Sequence, residues 1–156
     1  MWKAEDIQGN AFAIKEIRKV GVDIDQEIQA LEVAKTHQGT GKYPNVVKFF
    51  CDEDFGSRVY LVLEYCENGD LQQYMKKKLV GPIAEQEVRV FLQQMTNSLQ
   101  FLADNHILHR DLKPANFLMK DNYRTIVMAD FGLSKQTLTR TNSFVGSLAY
   151  MAPEVE

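Results

Sequence analysis

Short apolar runs separated by turn residues fill the first half of the chain, and one long stripe at helical spacing dominates the middle. Residues 1–6 and 11–17 flank Gly9-Asn10, a hairpin signal, so two antiparallel strands are expected there. Over residues 23–35 the positions Ile24, Ile28, Leu31 and Ala34 or Lys35 recur at three and four, which predicts a helix ended by Gln38-Gly39-Thr40-Gly41. The β-rich runs 46–50 and 59–63 predict two more strands, with the polar stretch 52–58 as their turn. Asn68-Gly69 ends the last strand, and Asp70 suits the N-cap of a short helix over 70–78. After Pro82 comes the strongest helix, 85–105, with Val88, Leu92, Met95, Leu99 and Leu102 in one stripe that Phe91 and Phe101 widen. Such a face has to pack on a larger core. Residues 106–156 read as short strands and polar loops, the kind of segment that carries sites. The pattern is α+β: a small sheet with one helix, then a helical part.

Composition narrows the function classes. With 156 residues, 45% hydrophobic and 25% charged, the chain has the make-up of one ordinary globular domain. A net charge of -3 supplies no overall basic field for nucleic acid or an acidic membrane. Two cysteines, Cys51 and Cys66, are too few for a disulfide framework, and neither sits in a metal-ligand pair. A reduced, cytoplasmic chain is expected. No apolar run reaches the roughly 20 residues of a membrane helix, and the acidic start Met1-Trp2-Lys3-Ala4-Glu5-Asp6 is no signal peptide.

Four short motifs carry the chemistry. His109-Arg110-Asp111-Leu112-Lys113-Pro114-Ala115-Asn116 fits H-R-D-L-x-x-x-N; Asp130-Phe131-Gly132 and Ala152-Pro153-Glu154 follow it, and Ala13-Ile14-Lys15 lies upstream on a predicted strand. Any one tripeptide is a weak signal, but four in order and at plausible spacing are not coincidence. The chain resembles a eukaryotic protein kinase catalytic domain. That resemblance implies a two-lobed fold, ATP and Mg²⁺ as cofactors, and phosphoryl transfer to protein substrates. Chemistry of that kind needs an in-line nucleophile and neutralised phosphate charge. Asp111 would accept or orient the proton of the substrate hydroxyl, Lys113 would meet the transferring phosphate, and Asn116 and Asp130 offer the oxygen ligands Mg²⁺ requires. Lys15 would hold the other phosphates as a point charge. Taken alone, it also reads as a solvated edge-strand lysine.

Lys15 needs a carboxylate, and Glu27 and Glu32 both compete. By resemblance, an apolar residue follows the family's glutamate by one turn. Leu31 stands after Glu27 and Thr36 after Glu32, which selects Glu27. Leu31, Phe49, His109 and Phe131 would then form the family's internal hydrophobic column. The run from Leu63 to Leu71 resembles the hinge between lobes. Glu64 and Cys66 would read an adenine edge through backbone groups, with Leu63 as the gatekeeper behind it. Ala13 and Leu118 would sandwich the base, and Asp70 would reach the ribose, cap a helix, or both. Lys113-Pro114 and Gly146-Ser147 resemble serine/threonine kinases, with Ser147 expected to bond Asp111 and Lys113. Ser143 holds the place of the family's activating phosphosite, Thr141 and Thr139 are lesser candidates, and Arg110 and Lys135 are placed to receive that phosphate. An activating kinase or autophosphorylation would supply it.

The subgroup stays open. Residues 65–71 and 146–154 resemble autophagy-initiating kinases and their calcium-regulated relatives, whereas the short interval from Lys15 to Glu27 and the segment 44–51 resemble the unfolded-protein-response kinase. The resemblance assigns 1–64 to the N-lobe, 65–70 to the hinge and 71–156 to the C-lobe. It also implies a partial domain, lacking the first strand and Gly-rich loop and ending just after Ala152-Pro153-Glu154. Two functions are open: a protein serine/threonine kinase, and a non-catalytic kinase-derived interaction module. Intact Lys15, Asp111, Asn116 and Asp130 favour the first.

Overall fold

A computed structural model describes residues 1–20, 24–78, 81–132, 135–136 and 147–150. Strands β1 (Trp2–Glu5) and β2 (Ala11–Arg18) form the expected hairpin, with Trp2 opposite Ile14 and Glu5 opposite Ala11. The Asp6 carboxylate closes its turn by accepting the backbone N–H groups of Gln8 and Asn10 at 2.8 and 2.9 Å. Gly9 takes a φ of 83°, the left-handed value a side chain would resist.

Helix α1 (Asp25–Thr36) follows and turns Ala30, Leu31 and Ala34 into the core together with the charged Glu27. Strands β3 (Phe49–Asp54) and β4 (Arg58–Glu64) complete a four-stranded antiparallel sheet in the order β1-β2-β4-β3. Here the structure corrects the sequence reading. The strand expected over 46–50 starts at Phe49 and runs on, so Asp52, Glu53 and Asp54 pair with Leu61, Tyr60 and Val59 instead of turning. The reason is position: β3 is an edge strand with one face in solvent, where a polar run pairs as well as an apolar one. The turn shrinks to 55–57 around the left-handed Gly56, whose N–H donates to Asp54.

Helix α2 (Leu71–Lys77) begins at the Asp70 cap, whose carboxylate accepts the backbone N–H of Gln73 at 2.8 Å. Helix α3 (Glu85–Asp104) buries Phe91, Ser98, Phe101 and Leu102. The stripe read from the sequence is therefore split. Leu102 and the widening residues Phe91 and Phe101 face the core, while Leu92 is 56% exposed and Val88 and Leu99 are also exposed. Positions 91, 98, 101 and 102 share the flank turned to the rest of the molecule, and 88, 92 and 99 lie on the adjoining flank.

The remaining strands are short. β5 (Ile107–Leu108) pairs with β8 (Lys135–Gln136), and β6 (Phe117–Lys120) pairs with β7 (Thr125–Met128) in a hairpin that packs on α3. Asn45, 4% exposed, ties the sheet to this part. Its amide donates to the Ile126 carbonyl at 2.7 Å and accepts from Asn97, and its own carbonyl accepts from Ser98 Oγ. One hydrophobic cluster runs from Ala13 in the sheet to Phe131 beyond β7.

Candidate active site

Strand alternation decides which residues of β2 look inward: Ala13 and Lys15 share that face. Lys15 Nζ lies 2.6 Å from Glu27 Oε1 on α1 and 2.8 Å from Asp130 Oδ1, so one ammonium joins the sheet, the helix and the segment after β7. Glu32 is elsewhere, 3.8 Å from Lys35 on the surface of the same helix. Burial pulls the Lys15 ammonium down, but the charges of Glu27 and Asp130 outweigh it and hold its pKa above the ordinary lysine value. Gly132 keeps this place open. A Cβ there would come within 3.3 Å of Asp130 Oδ1 and 3.4 Å of Glu27 Oε2.

Asp111, Lys113, Asn116 and Ser147 make a second cluster. Asp111 Oδ1 accepts from Ser147 N at 3.0 Å and Ser147 Oγ at 2.7 Å, and Lys113 Nζ lies 2.6 Å from Asp111 Oδ2 and 2.9 Å from Ser147 Oγ. Asn116 Nδ2 donates to the Asp111 carbonyl at 2.7 Å, and the Asn116 carbonyl accepts from Ala129 N, next to Asp130. Burial by itself would raise the Asp111 carboxyl; hydrogen bonds from Lys113, Ser147 and Asn116 prevail and hold it at about 2. Beneath both clusters His109 is buried, with Nε2 at 3.3 Å from the Ala129 carbonyl and its ring 5.5 Å from that of Phe131. Leu31, Phe49, His109 and Phe131 are each at most 2% exposed.

A cavity of about 300 Å³ opens between these groups. Ala13, Leu63 and Leu118 give it apolar walls, Glu64 and Cys66 stand at one side, and Lys15, Glu27, Asn116 and Asp130 make its polar end. Asp111 and Lys113 are not among its lining residues, and Asp70 is not either. Both Asp70 carboxylate oxygens bond Gln73, one to its backbone and one to its side chain. Cys66 is a partly buried free thiol, and burial, reinforced by the charge of Glu64, pushes its pKa up to about 12. Arg110 sits beside Asp111 with a left-handed backbone, φ 64°, and Lys135 pairs with Leu108 between β5 and β8. Ser143, Thr139 and Thr141 lie outside the described residues.

Residues 3–155 match the model of the protein kinase domain. The chain belongs to that family. Among its relatives, this kinase domain is 35% identical to the serine/threonine-protein kinase ATG1b of Arabidopsis thaliana over 96% of the chain. It is 32% identical, over its whole length, to the negative regulator of sexual conjugation and meiosis of Schizosaccharomyces pombe. To the human serine/threonine-protein kinase ULK1 it is 36% identical over 73% of the chain. The matched regions cover 21%, 33% and 12% of those relatives, so the kinase domain here spans a minor part of their length. No helix among its described residues is long and apolar enough to cross a membrane.

One residue with a part in this geometry escaped the sequence reading. Lys120 Nζ lies 2.7 Å from Oε2 of Glu64, which lines the cavity, while Lys120 does not. The signal was present in β6, where Phe117 and Met119 alternate inward and leave Leu118 and Lys120 on the other face.

Proposed function

We propose that the protein transfers the γ-phosphoryl group of ATP to serine or threonine hydroxyls of protein substrates. The observation that carries this reading is the position of Lys15 Nζ, within 2.8 Å of both Glu27 and Asp130 at the polar end of a cavity whose other walls are apolar. The base would lie between Ala13 and Leu118, in front of Leu63, with backbone groups of Glu64 and Cys66 on its edge and Asp70 toward the ribose. Lys15 would take the non-transferred phosphates. Asn116 and Asp130 fit Mg²⁺ as oxygen donors. Among the described residues no cluster of three or more His, Cys, Asp or Glu makes a protein-only cage, which suits an ion that keeps phosphate and water ligands. When bound, Mg²⁺ supplies charge neutralisation across the phosphates.

Asp111 is already ionised and fixed on three sides, so it acts mainly by orienting the attacking hydroxyl. The hydroxyl oxygen bonds to the γ-phosphorus, the bond to the β–γ bridging oxygen breaks, ADP departs, and the hydroxyl proton passes to Asp111 and on to solvent. Lys113 faces the charge that develops on the moving phosphoryl group. Phosphate on Ser143, held by Arg110 and Lys135, would order the loop that carries Ser147. The setting is the reduced cytoplasm, with protein substrates and an activating kinase or self-phosphorylation as partners. On this reading the chain divides into 1–64, 65–70 and 71–156, with the nucleotide between the first and last of these and 65–70 along its edge.

Calorimetry with Mg-ATP, followed by labelling of serine, threonine and tyrosine peptides, tests the reading. Binding is expected for the wild type, lost in Lys15→Met. Labelling is expected on serine and threonine, and abolished in Asp111→Asn and Asp130→Asn. Equal binding by Lys15→Met, or labelling confined to tyrosine, would overturn it. A protein that binds nucleotide and labels nothing would be the interaction module.

A further inference from the structure

The segment between the sheet and α2 is held from two sides, and the two holds differ in kind. After Cys66 it is fixed by backbone and short side chains: Asn68 N donates to the Met119 carbonyl at 3.1 Å and Met119 N to the Gly69 carbonyl at 2.8 Å. Asp121 N also donates to Glu67 Oε1 at 2.8 Å. Before Cys66 comes Glu64, the last residue of β4, with three polar contacts. Glu64 N donates to the Lys48 carbonyl, Glu64 Oε1 accepts Lys48 N at 2.9 Å, and Glu64 Oε2 accepts Lys120 Nζ at 2.7 Å. The first two contacts hold Glu64 to Lys48, just before β3. Only the third joins it to β6.

Glu64 and Lys120 are 11% and 19% exposed. A pair so nearly dry cannot lose one member cheaply, because the survivor is left as a largely desolvated charge without its counter-ion. Lys120 is a point charge on a long stem, so its grip on Glu64 sets a distance and is not a mere steric stop. It also stands two residues from Leu118 on the same face of β6. One strand thus presents both a wall of the cavity and the cation that holds the residue on its far rim.

Resting on the nucleotide reading above, we infer that Lys120 is a positioning residue: through its ion pair with Glu64 it sets the spacing between the backbone of 64–66 and the Leu118 wall, and so the affinity for the adenine end of the nucleotide. Its effect falls on the base and not on the phosphates, which on the same reading go to Lys15 and to the Mg²⁺ donors Asn116 and Asp130.

Two probes separate those ends: adenosine, which has the base without phosphates, and magnesium tripolyphosphate, which has the phosphates without a base. Both are titrated into wild type, Lys120→Met, Lys120→Arg and Glu64→Gln by calorimetry, with folding checked by circular dichroism. Lys120→Met, which keeps most of the stem, is expected to weaken adenosine about tenfold while tripolyphosphate stays within about twofold. Lys120→Arg should restore most of the loss. Glu64→Gln should repeat the Lys120→Met pattern, and it serves alone if Lys120→Met does not fold. Unchanged adenosine affinity overturns the inference. Equal weakening of both probes overturns it too, since that is the mark of general loosening. A wild type that binds neither probe refutes the nucleotide reading itself, a different failure from either.

Discussion

At the scale of single residues, the contest between Glu27 and Glu32 is decided by which side of α1 each occupies. Glu27 is 5% exposed against Lys15, whereas Glu32 is exposed and meets only Lys35. Glu27→Gln is therefore expected to weaken Mg-ATP binding about tenfold or more, and Glu32→Gln to change it less than about twofold, both by calorimetry. Asp111 gives a prediction in pH. Its carboxyl is held at about 2, below the ordinary 3.8. A depressed carboxyl contributes stability that is complete above the unfolded value and lost as pH falls through the folded one. The excess thermal stability of wild type over Asp111→Asn should thus be constant above about pH 4 and shrink between about pH 4 and 2. Melting curves across that range check it; an excess growing toward acid would refute the assignment. Lys15, Asp111, Asn116 and Asp130 were legible in the sequence because motif spacing marks them. Lys120 was not, since a lysine ending a four-residue strand has no local pattern to separate it from a solvated one.

Among the elements, α3 shows what periodicity reports and what it leaves out. Spacing told that a helix with an apolar side lies there; it did not tell which flank of a broad stripe would be covered. Phe101 is fully buried and edge-on to Tyr43 and Phe131, with ring centroids 5.3 and 6.3 Å away. Leu92, at the outer edge of the stripe, is 56% exposed. Phe101→Ala is expected to cost about 3–5 kcal/mol in urea denaturation, and Leu92→Lys no more than about 0.5 kcal/mol. Similar losses for the two would show that the faces are misassigned. The β3 boundary was misread for a related reason: Asp52-Glu53-Asp54 has turn composition, and only the pairing with 59–61 makes it a strand. The first hairpin and the Asp70 cap were legible because each is fixed by residues within four positions of one another.

For the whole molecule, Asn45 joins the sheet to the helical part. Asn45→Ala would strand Asn97, the Ile126 carbonyl and Gln94 without their buried partner, at an expected cost of about 2–4 kcal/mol. Trp2, the single tryptophan, lies in β1, while the largest helical contribution to far-UV circular dichroism comes from α3, in the helical part. In wild type the two signals should therefore report one transition, and in Asn45→Ala two separated midpoints. Coincident midpoints in the variant would show that the two parts are coupled by other means. The contact between Lys15 and Asp130 spans 115 positions of sequence, whereas the sheet around Lys15 is closed by neighbours in sequence and by β4. During synthesis, at ribosomal speeds, Lys15 emerges on the order of ten seconds before its aspartate exists. The nascent chain therefore carries a finished hairpin while the Lys15–Glu27–Asp130 cluster still lacks its third member.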